Sequence, residues 1–187
     1  VFCFWEDRGE VRMQLKPHAP GIRKFSEQAL TAKARTIIKS MRASKDSGKA
    51  VMFYSCIIGS IPGQTATAIK VADTFVRSLR ERLDQVFIIN PAEYFEPGMD
   101  GDDLMFMWEQ VQRSGLINIW RFQSMEDIEA SFGLMGLKVP PVWSGKDATF
   151  STGCTQEMRI ALDVQRQNRE MQIIGPDPAR FTRRGEY

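Results

Sequence analysis

The chain predicts a three-layer α/β domain built on a mostly parallel sheet with flanking helices. Three observations carry that expectation. Residues 50–58, Ala-Val-Met-Phe-Tyr-Ser-Cys-Ile-Ile, are almost wholly apolar, the mark of a strand buried on both faces. Residues 65–82 follow with Ile69, Ala72, Val76 and Leu79 at helical spacing, leading to Leu83. A second short apolar run at 86–89 then completes a strand–helix–strand unit, stopped by Asn90-Pro91. The 187 residues suit one domain, and 43% hydrophobic residues are enough to build its core.

The remaining elements fall in order around this unit. Short apolar runs at 1–5 and 11–15, split by Asp7-Arg8-Gly9-Glu10, predict an N-terminal β-hairpin within an appendage of residues 1–22. Pro17 to Gly21 breaks the chain, and residues 24–45 read as a helix with an apolar stripe of Ala29, Ala32, Ile37, Ile38 and Met41. An acidic loop, Asp100 to Asp103, precedes a helix over about 104–113. Residues 117–122 predict a third strand. Residues 125–134 predict a helix capped by Ser124, with Asp127 in its first turn. Val139-Pro-Pro-Val-Trp143 is read as extended, because its two prolines bar central pairing. A helix to about residue 168, a strand at 171–174 and a polar tail from 175 to 187 complete the chain.

Bulk chemistry excludes several classes. Net charge is +2, too balanced to imply a nucleic-acid partner. No apolar run approaches the roughly 18 residues that cross a membrane. Three cysteines, Cys3, Cys56 and Cys154, form no CxxC pair, and His18 is the one histidine, so neither a metal site nor a Cys–His pair is expected. The odd cysteine count fits a reducing compartment, hence a cytoplasmic location. Trp108, Trp120, Phe122 and Phe132 exceed the needs of one short helix; they read as core or as a subunit interface, and a homo-oligomer is expected.

In such sheets ligands bind beyond the carboxyl ends of the strands, which puts the loops after Ile58, Ile89 and Trp143 on one rim. The first loop, Gly59-Ser60-Ile61-Pro62-Gly63-Gln64-Thr65, leads into a helix, so its N–H groups can cradle a phosphate; it also reads as a plain βα turn. The second carries Tyr94. In the acidic loop Asp100, Asp102 and Asp103 can supply a general acid or pair with ribose hydroxyls; the plainer reading makes Asp102 the helix N-cap, with Asp103 solvated. The third, long and polar, contains Asp147, Ser151, Thr152 and Gly153 and delivers the chain into Thr155-Gln156-Glu157. The reading places Glu157 in the first turn of a helix, where the dipole favours a carboxylate. A capping box would need Ser or Thr three residues earlier, where Cys154 stands. Cys154 itself, at a helix start, is a candidate for a depressed pKa.

The segment Gly153-x-x-x-Glu157-x-x-x-Ala161 resembles the catalytic segment of the nucleoside 2-deoxyribosyltransferase superfamily. With the element order and the loop at Gly59, the resemblance spans residues 51–174. It implies an N-glycosidic-bond hydrolase or transferase acting on a nucleoside, nucleotide or NAD-like substrate, without metal or organic cofactor. Glu157 is then the nucleophile, Tyr94 orients it, and Asp102 is a candidate acid. Gly59, Ser60, Gly63, Asp147, Ser151, Thr152 and Gly153 are the candidate substrate contacts. The alternative from the residues alone is a non-catalytic module that binds a nucleotide or a protein, or a structural subunit of a larger polypeptide.

Overall fold

The computed structural model describes residues 25–182; the expected N-terminal hairpin lies outside them. Among the described residues, four parallel strands form one sheet in the order β2-β1-β3-β4: β1 (Ala50–Ser55), β2 (Val86–Ile89), β3 (Ile119–Phe122) and β4 (Gln172–Ile174). Five α-helices flank it: α1 (Glu27–Asp46), α2 (Thr65–Arg82), α3 (Gly101–Gln112), α4 (Met125–Leu134) and α5 (Thr152–Gln167). Helix α3 packs on α1 and α5, and α2 packs on α4, so the sheet lies between two helical layers.

Strand β1 shows why its run is apolar throughout. Val51 and Phe53 join the core under α1, α3 and α5, while Met52 and Tyr54 join the core under α2. The same alternation turns Ser55 toward the α3–α5 layer, where Trp120 Nε1 donates to its hydroxyl at 2.8 Å. The register Met52↔Ile119 to Ser55↔Phe122 brings the carboxyl ends of β1 and β3 level. Just beyond them the backbone N–H of Ile57 donates to Gln123 Oε1 (3.1 Å), which fixes the start of the loop after β1.

Capping sets the helix starts, and here several expectations change. Helix α4 begins as expected, with a reciprocal Ser124–Asp127 capping box. Helix α3 starts three residues earlier than the stripe implied. Asp100, not Asp102, is its N-cap, in a capping box with Asp103, which is buried rather than solvated. Helix α5 is capped by Ser151, whose hydroxyl accepts from the N–H of Cys154. Glu157 is therefore the sixth residue of α5 and stands in its second turn, not its first. Residues Pro141–Trp143 form a 3-10 turn rather than an extended stretch, with Trp143 buried beneath it.

Trp108, Trp120, Phe122 and Phe132 are all buried in the core. Phe53 sits between the first two, edge-on to both, with ring centroids 5.4 and 5.3 Å away. No described helix is long and apolar enough to cross a membrane.

Candidate functional site

A pocket of about 290 Å³ opens at the carboxyl rim of the sheet, the scale of a small-molecule site. The loop after β1 contributes Cys56, Ile58, Gly59 and Ser60, and the segment after β2 contributes Pro91, Phe95 and Met99. Helix α3 supplies one face, Gly101, Leu104, Met105 and Trp108, at the spacing that keeps side chains in line. Ser151, Gly153, Cys154 and Glu157 come from the start of α5. Helices α2, α3 and α5 all begin here, since Thr65, Gly101 and Gly153 line the space, so three partly positive helix ends face one cavity.

The two rims are tied to each other. Ser60 Oγ donates to Ser151 Oγ at 3.0 Å, joining the loop after β1 to the cap of α5. On the far side Lys33 of α1 pairs with Glu96, which holds the segment after β2 against the domain.

Glu157 lines this pocket yet is only 6% exposed. Gln112 Nε2, from the last residue of α3, donates to its Oε1 at 2.8 Å. Burial raises its carboxyl from the ordinary 4.5 to about 7; hydrogen bonding from Ser55 and Gln112 opposes that rise. Its environment differs from those of the other buried acids. Asp127 accepts two hydrogen bonds from Arg121, at 3.2 and 2.6 Å. Asp147 pairs with Arg180 at 2.9 Å. Asp103 serves the α3 cap. Glu157 has a neutral amide for a partner, and among the described residues no lysine or arginine pairs with it.

The structure brings together Glu157, Gly59, Ser60, Ser151 and Gly153 of the residues singled out in the sequence. It does not bring the others to the pocket. Tyr94 is half-buried with its ring edge-on to Trp108 at 5.4 Å, and the hydrogen bond expected from it is made by Gln112. Asp102 is the second residue of α3, and the acid that lines the cavity is Asp100. Gly63 has φ +70°, and its work is the turn into α2. Asp147 is 2% exposed and caps a 3-10 turn at Ala148–Phe150, accepting from the N–H of Thr149. Thr152 opens α5 beside the pocket without lining it.

Cys154 lines the pocket, and its Sγ donates to the carbonyl of Cys56 at 3.4 Å. Burial, and then the charge of Glu157, push its thiol pKa well up, not down as its place at a helix start suggested. Burial does the same to Cys56. Neither thiol is poised as a nucleophile. Among the described residues no group of three or more His, Cys, Asp or Glu is arranged to hold a metal ion.

Gln112 is the site residue that sequence reasoning missed, and within the acidic loop it favoured Asp102 over Asp100, the acid that lines the pocket. Gln112 and Asp100 each left a signal. Gln112 continues the Gly101–Leu104–Trp108 face as a polar residue on an otherwise apolar stripe, and Asp100 heads an Asp-x-x-Asp capping pattern. No family model, curated protein or solved structure matches this chain.

Proposed function

We propose that the protein cleaves the N-glycosidic bond of a nucleoside or nucleotide, with Glu157 as the nucleophile. One observation carries the reading: a carboxylate buried at the carboxyl rim of a parallel sheet, in a pocket, with no cation among the described residues to neutralise it. Such a group costs stability when ionised. It becomes favourable when positive charge develops beside it, as on the anomeric carbon of an oxocarbenium-like transition state.

In the first step a Glu157 oxygen bonds to the anomeric carbon while the carbon–nitrogen bond breaks. The bonding pair leaves with the base, which takes up a proton. In the second step water or another base attacks the same carbon, losing a proton, and the carboxylate is released. Two displacements at one carbon retain its configuration. The apolar wall of Phe95, Met99, Leu104, Met105 and Trp108 suits the flat face of a base. Ser60 and Ser151 suit sugar hydroxyls, and the three helix ends suit a phosphate where the substrate carries one.

The test is incubation with nucleosides, nucleotides and NAD, scored for free base. Wild-type protein should release base from at least one of them. Glu157→Gln should lose that release by several orders of magnitude, because an amide cannot form the glycosyl ester. Binding of a nucleoside without release by the wild type would replace this reading with that of a binding module.

A further inference from the structure

We infer that Gln112 is the positioning residue of the site, fixing both the orientation and the protonation of Glu157; its effect on turnover rests on the reading of Glu157 as nucleophile. The contact joins the last residue of α3 to the second turn of α5. Both side chains are buried, so the bond is shielded from water and not exchanged with it.

The choice of residue matters. An arginine or lysine here would pair with Glu157, lower its energy and blunt its reactivity. An apolar residue would leave its Oε1 without this donor. An amide donates one charge-assisted hydrogen bond and adds no net charge. It also serves both states of the acid. With Glu157 ionised, Nε2 donates to it; with Glu157 protonated, a rotated amide can accept the acid's proton through Oε1.

A second observation supports a role beyond packing. Gln112 Oε1 is buried and has no hydrogen-bond partner among the described residues. An orphaned buried acceptor is a standing cost, and a position selected for stability alone would carry a methionine or leucine. The Trp120–Ser55 contact completes the cradle: with Trp120 Nε1 donating to Ser55 Oγ, the hydroxyl proton of Ser55 is free to point at Glu157.

The experiment titrates Glu157 by carboxyl-carbon NMR and measures base release in parallel, in wild type, Gln112→Met and Gln112→Asn. Methionine keeps the shape and removes the donor; asparagine keeps the amide and shortens the arm, so a folding failure of one leaves the other. In both, the Glu157 midpoint should move up by about 1–2 pH units, the size of a lost hydrogen bond to a charged group. Turnover above the midpoint should fall on the order of 10–100-fold with little change in KM, as for a misplaced reacting group. An unmoved midpoint in both variants overturns the inference, whether or not the wild type releases base. A moved midpoint in a protein whose wild type releases no base overturns Glu157 as nucleophile and leaves Gln112 as the group that sets its protonation.

Discussion

Replacing Glu157 by glutamine should make the protein more stable, and increasingly so as the pH rises. The carboxyl titrates near 4.5 when exposed and at about 7 when folded, burial being the main cause. The sign follows from linkage. A raised folded-state pKa means that the native protein holds a proton that the unfolded chain has already released. The stability this confers is complete below about 4.5 and is lost as pH climbs through about 7. A shift of this size corresponds to roughly 3 kcal/mol across the whole window. Glutamine mimics the protonated acid in shape and carries no charge to bury. Its carbonyl can accept from Gln112 as Glu157 Oε1 does.

The assay is urea unfolding of both proteins at about pH 5 and about pH 8, with the difference between them taken at each pH. Other titrating groups are common to the two and cancel. The advantage of Glu157→Gln should grow by roughly 2–3 kcal/mol between those pH values. An advantage that stays flat would mean that Glu157 titrates normally, and the account of its burial would fall with it. A loss of stability at high pH would show that the ionised carboxylate is a favourable structural contact, the opposite of what its surroundings imply.

Other outcomes can be checked on the same material. If Glu157 acts as its carboxylate, kcat/KM for base release should rise with pH and level off above about 7. Tyr94→Phe should change base release by no more than a few-fold, because Gln112 makes the contact to Glu157. Ser151→Ala should cost about 1 kcal/mol in urea unfolding, through loss of the α5 cap. Gly175→Ala should be strongly destabilising, since a Cβ there would stand 2.7 Å from the carbonyl oxygen of Phe122 in a backbone of φ +142°. Self-association should depend on the exposed Leu134, Leu137 and Val142 rather than on the buried tryptophans, and a triple serine variant with an unchanged mass by light scattering would refute that.

The sheet and its order of elements were legible because burial leaves an unambiguous trace. Residues 65–82, 86–89 and 125–134 have the bounds their patterns predict, each set by an apolar stripe or run together with a capping or breaking residue. The starts of α3 and α5 were not legible from the stripe alone. Both helices begin in turns of small and polar residues, where no large apolar side chain marks the start, and there the cap decides. In α3 the first acid of Asp100-Gly-Asp-Asp103 wins because it can close a reciprocal box with the last. In α5 the 3-10 turn at Ala148–Phe150 ends on Ser151, and that hydroxyl takes the cap. The polar loop looked functional along its whole length, but Asp147 and Thr149 hold the turn, and the pocket receives only what lies beyond it.

The site itself was half legible for a related reason. A glycine loop after a buried strand and a glutamate after a glycine turn are local patterns, so both could be read in one dimension. What gives Glu157 its character is not local. Gln112 is 45 residues away and meets it because one face of α3 runs along the pocket wall and continues past Trp108. That no cation among the described residues reaches Glu157 is equally three-dimensional. Arg121 reaches Asp127 over six residues, and Arg180 reaches Asp147 from beyond α5 and β4. The fold thus pairs two of its buried acids with arginine and leaves Glu157, which lines the cavity, to a neutral amide. A carboxylate treated that way is expensive wherever the protein spends its time at neutral pH, and structural need does not account for it. On the proposed function the cost becomes intelligible, because a reacting sugar in the pocket would supply the positive charge, most of it at the transition state.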